Sequence, residues 1–308
     1  MSSPSRAVSR PSLRCRRTVV SLFFDANGKQ VNSVVYEAPY RDDVVKPNMA
    51  IERSNAWRFQ SGRLLVKRDG KYGYLDESGA EVISAQFYEA SDFVGDFAEV
   101  RPEAGKVGGI IDLNGAWVLP PNGPMGYPHL KGGYAITSTY PKGYLDKQRI
   151  IDLRTMQVLH IFARDSGYQD LEIIGYGENA VLRVLRSGTE WVEDLGVCVL
   201  GLDGHVIGCG YADAADAGEG VIAVADAERR WGAIDHAGHV LFAPRYETGE
   251  SVIYRDARMN TGRSSPFRFK GNYAEVRTAY RDRLPFYIDK TGREFRDVAA
   301  PQTLRTSR

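Results

Sequence analysis

An apolar pair running into Asp, with Gly three residues later, recurs along this chain from end to end. Clear copies are Phe24-Asp25-Ala26-Asn27-Gly28, Leu75-Asp76-Glu77-Ser78-Gly79, Ile111-Asp112-Leu113-Asn114-Gly115, Ile234-Asp235-His236-Ala237-Gly238 and Ile288-Asp289-Lys290-Thr291-Gly292. Two degenerate copies, Ile151-Asp152-Leu153-Arg154-Thr155 and Leu200-Gly201-Leu202-Asp203-Gly204, fill the gaps. The seven marks stand 51, 36, 40, 49, 34 and 54 residues apart, a period that points to a repeat architecture.

Each mark has the chemistry of a hairpin. Asp accepts hydrogen bonds from backbone N–H groups two residues on, and Gly supplies the positive φ of a tight reversal. The flanks are β-prone: Gly73-Tyr74-Leu75 enters and Ala80-Glu81-Val82-Ile83 leaves. A further apolar strand precedes each hairpin, as in Gly62-Arg63-Leu64-Leu65-Val66 and Asn272-Tyr273-Ala274-Glu275-Val276. A tyrosine follows most marks: Tyr36, Tyr88, Tyr127, Tyr168, Tyr211 and Tyr246. The expected unit is three short strands plus a tyrosine-bearing connection. Such a unit buries no core alone, so neighbours must stack. The fold expected is all-β, propeller-like, with about seven hairpin units over residues 18–300; an open β-solenoid is the alternative. The first unit lacks an upstream strand, and a C-terminal segment such as 294–300 is a candidate to complete it.

The best copies resemble the WG-repeat family of bacterial proteins. Arg230-Trp231-Gly232-Ala233-Ile234-Asp235 carries the signature, Lys71-Tyr72-Gly73-Tyr74-Leu75-Asp76 has Tyr in the Trp place, and Val107-Gly108-Gly109-Ile110-Ile111-Asp112 keeps the second glycine. Arg149 and Phe286 stand at the glycine position of other copies. The resemblance implies a β-repeat module without common catalytic residues. It also implies a non-catalytic protein-binding scaffold, with an immunity or adaptor role toward a bacterial toxin or effector as the specific expectation.

The net charge of +1 conceals an asymmetry. Five arginines lie in residues 1–17, and Arg305 and Arg308 in 301–308, with no acid in either segment. Setting those aside, the body from 18 to 300 has 33 basic and 39 acidic residues, a net of −6, which argues against a nucleic-acid-binding core. Residues 1–17 read as a disordered basic arm and 301–308 as a disordered tail. Arg16-Arg17 before Thr18–Phe24 also has the outline of an export signal, but Asp25 cuts the apolar run short and no Ala-x-Ala site follows. No apolar stretch is long enough for a membrane helix, and no membrane partner is expected. Of the three cysteines, Cys198 and Cys209 flank the fifth hairpin, but a regular ladder sets Cys198 opposite about Ile207. They are expected unpaired, which suits a reducing cytoplasm, with a periplasmic location as the alternative.

No catalytic motif, nucleotide loop or metal-binding spacing appears, so no cofactor or metal is expected. His236 and His239 straddle a turn tip. A glycosidase reading rests on Glu99 and Glu275, which hold the same place in two upstream strands and form a candidate carboxylate pair facing one channel. The long insertions are stronger candidates, because loops on a rigid scaffold carry binding. One holds Trp57 and Arg58, a second Trp191, Glu193 and Asp194, and a third Arg255, Arg258, Arg263 and Arg268. The first and third fall at one point of the repeat and are expected on one face. Trp beside charge is typical of protein anchors, and carbohydrate is the alternative partner.

Overall fold

The computed structural model describes residues 20–21, 36–37, 59–121, 127–139, 146–186, 196–247, 265, 267–276 and 285–296. They form six antiparallel sheets in which every strand pairs with its sequence neighbour. Sheet 1 holds β1 (Val20–Ser21), β2 (Tyr36–Glu37), β3 (Leu64–Arg68), β4 (Lys71–Leu75) and β5 (Glu81–Phe87). Sheet 2 holds β6 (Glu89–Ala90), β7 (Phe97–Arg101), β8 (Gly109–Asp112) and β9 (Trp117–Leu119). Sheet 3 holds β10 (Tyr127–Lys131), β11 (Tyr134–Thr139), β12 (Lys147–Asp152) and β13 (Gln157–Ala163). Sheet 4 holds β14 (Tyr168–Ile174), β15 (Val181–Arg186), β16 (Val197–Leu200) and β17 (Val206–Tyr211). Sheet 5 holds β18 (Asp213–Asp216), β19 (Ile222–Ala225), β20 (Arg230–Ile234) and β21 (Val240–Glu247). Sheet 6 holds β22 (Phe267–Lys270), β23 (Tyr273–Val276), β24 (Phe286–Asp289) and β25 (Glu294–Phe295).

The Asp marks are the turns between the third and fourth strands. Asp76 Oδ1 accepts the N–H groups of Ser78 at 2.9 Å and Ala80 at 3.0 Å, while Gly79, at φ +82°, donates to the Asp76 carbonyl. Asp112, Asp235 and Asp289 repeat this pattern. The unit differs from the expected three strands because the tyrosine-bearing connection is itself strand, clearest in β10 and β14. The described residues form six sheets, which carry six of the seven marks. The hairpin of Asp25 lies outside the described residues; β1, on its entering side, pairs with β2 as a fifth strand of sheet 1. Glu294–Phe295 completes sheet 6, pairing with Tyr287 and Ile288, and not the first unit as expected.

Neighbouring sheets pack face to face, in chain order. Leu65, Tyr74 and Phe87 of sheet 1 share a core with Ala98, Val100 and Ile111 of sheet 2. Phe97, Ile110 and Leu119 meet Leu130 and Ala135 across the next junction. Further clusters join sheets 3 and 4, 4 and 5, and 5 and 6. This is the stacking a repeat of four-stranded sheets needs to bury both faces. The fold is all-β and propeller-like.

The signature glycine has a steric cause. A Cβ on Gly232 would lie 2.6 Å from Pro244 N and 2.7 Å from Phe242 O, because the fourth strand bulges across the third there. Gly73 is pressed the same way against Ile83 and Ala85. In sheet 4 the equivalent place holds Cys198. There the bulge sets Cys198 opposite Cys209 and Gly210, and the two cysteines form a disulfide. This corrects the expectation of unpaired thiols, which assumed a regular ladder, and it removes the cysteine argument for a reducing compartment.

Candidate functional site

The predicted partner-binding residues are largely beyond the described part of the chain. Trp57, Arg58, Trp191, Glu193, Asp194, Arg255, Arg258 and Arg263 lie outside the described residues. Arg268 is in β22, where its guanidinium pairs with Asp216 of β18 at 3.1 Å across the junction of sheets 5 and 6.

The flanking strands place the ends of the insertions. Segment 38–63 links β2 to β3 and enters β3 beside the Asp turns; Arg63 there reaches the Leu113 carbonyl at 3.1 Å, next to the turn of sheet 2. Segment 248–266 links β21 to β22, and β21 ends opposite Arg230, at the other end of the sheets. The described strand ends that flank the two insertions thus lie at opposite ends of their sheets, while the expectation of one face for the insertions themselves falls outside the described residues. The first follows a first strand and the other a fourth, and successive antiparallel strands alternate in direction. Segment 187–195, with Trp191, is closed at its base by the Arg186 N–H on the Gly196 carbonyl and joins the second and third strands. Its ends share the side of 248–266.

The fourth strands form the exposed edges of the sheets. On them Trp117, Ile161, Val206 and Val240 are exposed, the last at 67%. Trp117, Val206 and Val240 each stand two residues after the turn glycine, so the repeat itself sets the row. Sequence reading missed this row because alternate outward positions of a strand are ordinarily polar. Its signal was legible in the constant offset from Gly115, Gly204 and Gly238.

Glu99 and Glu275 occupy central strands, with β6 and β8 flanking β7 and β22 and β24 flanking β23. Neither is on a first, edge strand. Glu99 instead lies against sheet 3: burial pushes its carboxyl up, opposed by His129 and by the Leu130 N–H. Glu275 is opposite Tyr287 and Arg268 in the ladder. His205 Nδ1 and Asp203 Oδ1 are 2.5 Å apart, and His239 Nδ1 and Asp235 Oδ2 are 3.0 Å apart, so both imidazoles serve turns. Burial lowers His236. Among the described residues no three His, Cys, Asp or Glu side chains gather to hold a metal.

Fold and surface together define a propeller-like β-repeat protein whose described surface offers strand edges and loop ends. Residues 72–106, spanning nearly all of β4 together with β5, β6 and β7 and ending before β8, match the family described as WG containing repeat. Among curated proteins none matches the chain. A solved structure titled "Crystal structure of the eukaryotic initiation factor" is similar at 10% identity and TM-score 0.47, covering 78% of this chain and 63% of that one. The chain thus spans less than two thirds of the length of that neighbour. BamB from Moraxella catarrhalis is similar at 14% identity and TM-score 0.24, covering 72% of this chain and 81% of that one.

Proposed function

We propose that this chain is a non-catalytic protein-binding scaffold. The observation that carries the reading is the row of exposed apolar side chains on the fourth strands, with Trp117, Val206 and Val240 in one repeat register. Edge strands present unpaired backbone groups as well, and apolar side chains beside them suit strand or loop docking by another chain. The resemblance to WG-repeat proteins directs the reading toward an immunity or adaptor role, in which the partner is a toxin or effector.

The test is affinity capture of tagged full-length protein from its native lysate, with a Val206→Lys/Val240→Lys variant in parallel. Both positions are exposed, so the variant keeps its core. One stoichiometric partner, retained by the native chain and lost by the variant, is the expected result. No partner, or equal retention by both forms, sinks the docking surface.

A further inference from the structure

One register position of the repeat carries a valine in five sheets. Val66, Val100, Val184, Val224 and Val276 stand there, all buried, each opposite a Gly, Cys or Phe. In sheet 3 the same pair is Thr137 opposite Arg149. Thr137 is fully buried, and its Oγ1 has no hydrogen-bond partner. Arg149 Nη1 and Arg101 Nε are likewise buried and unpartnered, and among the described residues these are the three such atoms. A buried donor without an acceptor costs about 1–3 kcal/mol, so these three call for an explanation.

All three belong to the junction of sheets 2 and 3. Ala135 shares a core with Phe97 and Ile110 of sheet 2, and Thr137, two residues on, is on the same face, as is its cross-strand neighbour Arg149. Phe97 of β7 faces that core, and Glu99 and Arg101 follow it at the same period. Tyr72 and Trp231 supply an aromatic ring at the next position in sheets 1 and 5; sheet 2 has Gly108 there. A Cβ on Gly108 would meet only the Val100 carbonyl, at 3.0 Å from its oxygen. At this junction sheet 2 has glycine in place of the ring, sheet 3 has threonine in place of the valine with an arginine opposite it, and Arg101, its side chain 40% exposed, lies on the facing side of β7.

We propose that this inter-sheet space binds one carboxylate. Arg149 and Arg101 supply the donors, and Thr137 donates its hydroxyl; a guanidinium fork matches the planar carboxylate in two parallel bonds. Arg101 Nη1 already holds Glu89 at 2.7 Å, leaving Nε for the ligand. Glu89 and Glu99 line the same region, and two carboxylates there disfavour a phosphate dianion more than a singly charged carboxylate. The source that follows from the proposed function is an Asp or Glu side chain of the partner protein, and this part rests on that reading. A free small carboxylate would use the same donors.

The experiment follows the thermal midpoint of the full chain in sodium acetate, sodium phosphate and sodium chloride at equal ionic strength. A capped tetraglutamate peptide serves as competitor. The variants are Thr137→Val, which restores the residue of the other five sheets, and Thr137→Val/Arg149→Met. Acetate should raise the native midpoint above chloride, phosphate should not, and the double variant should bind acetate about tenfold more weakly or worse. Without carboxylate its midpoint should equal or exceed that of the native chain, since unpaired buried donors have been removed. No acetate response in the native chain, or an equal response in both forms, overturns the site, as expected if water alone fills the space. Peptide competition, with loss of the captured partner from the double variant, assigns the carboxylate to the partner. Capture unchanged while the acetate response is lost keeps the site and assigns it to a free carboxylate.

Discussion

At Gly232 a single hydrogen decides whether the fourth strand of sheet 5 can cross the third. The atoms a methyl group would meet, Pro244 N and Phe242 O, are backbone and cannot swing aside. Gly232→Ala should therefore cost about 3 kcal/mol, the upper range for overpacking. Gly95→Ala is the control: its Cβ would meet nothing within 4 Å, and the cost is the positive φ alone, about 1 kcal/mol. Urea midpoints at constant slope measure both, and equal losses would refute the steric account. The sequence showed the Trp-Gly pair without showing why glycine is needed. The reason is a bulge, and a bulge is invisible to a reading that assumes regular ladders. The same blindness set Cys198 opposite Ile207, when the bulge delivers Cys209 to it. Arg149 and Phe286 stand in the glycine place of their copies, and Arg149 comes with the exchange of the paired valine for Thr137.

At the level of the turn, the Asp carboxylates were the most legible feature, because their role depends on two or four residues of local chain. Their hydrogen bonds also fix a pH dependence. The Ser78 hydroxyl, and then the N–H groups of Ala80 and Ser78, hold the Asp76 carboxyl below the usual range, and the His239 N–H leads the same effect on Asp235. A carboxyl lowered in the folded state adds stability above its unfolded value, near pH 4, and loses it as pH falls through the folded value. The urea midpoint of the native chain should thus fall between about pH 5 and pH 2 more steeply than that of Asp76→Asn/Asp235→Asn, which keeps an acceptor but does not titrate. Glu99, which burial pushes the other way, is common to both forms and drops out of the comparison. Parallel curves would reject the assignment. One Asp turn escaped sequence reading altogether. Asp226 Oδ1 accepts the Arg230 N–H at 2.8 Å, with Arg229 at φ +58° in the place of glycine, and a non-glycine residue there gives no punctuation to read.

In the whole molecule, order along the chain becomes order in space, because each sheet finds its second face on the next. That much followed from the period. So did the place of each described mark, the turn between third and fourth strands; the first mark lies outside the described residues. The junctions are also unequal, and the pattern of marks carried no trace of it. Between sheets 4 and 5 the Arg183 guanidinium, 5% exposed, holds Asp213 at 2.7 Å, and that oxygen also accepts the Ala214 N–H at 2.9 Å. Removing one partner of a buried pair strands the other charge, whereas removing both is near neutral. Asp213→Ala should cost about 3 kcal/mol, and Arg183→Met/Asp213→Ala should recover most of that. Because coupling runs through neighbours, hydrogen exchange should accelerate first in β15 and β18 while β3 and β4 keep their protection. A strictly additive double variant would show that the pair contributes nothing to the junction. Uniform acceleration across all six sheets would show that the array opens as a single unit, and that coupling extends beyond adjacent sheets.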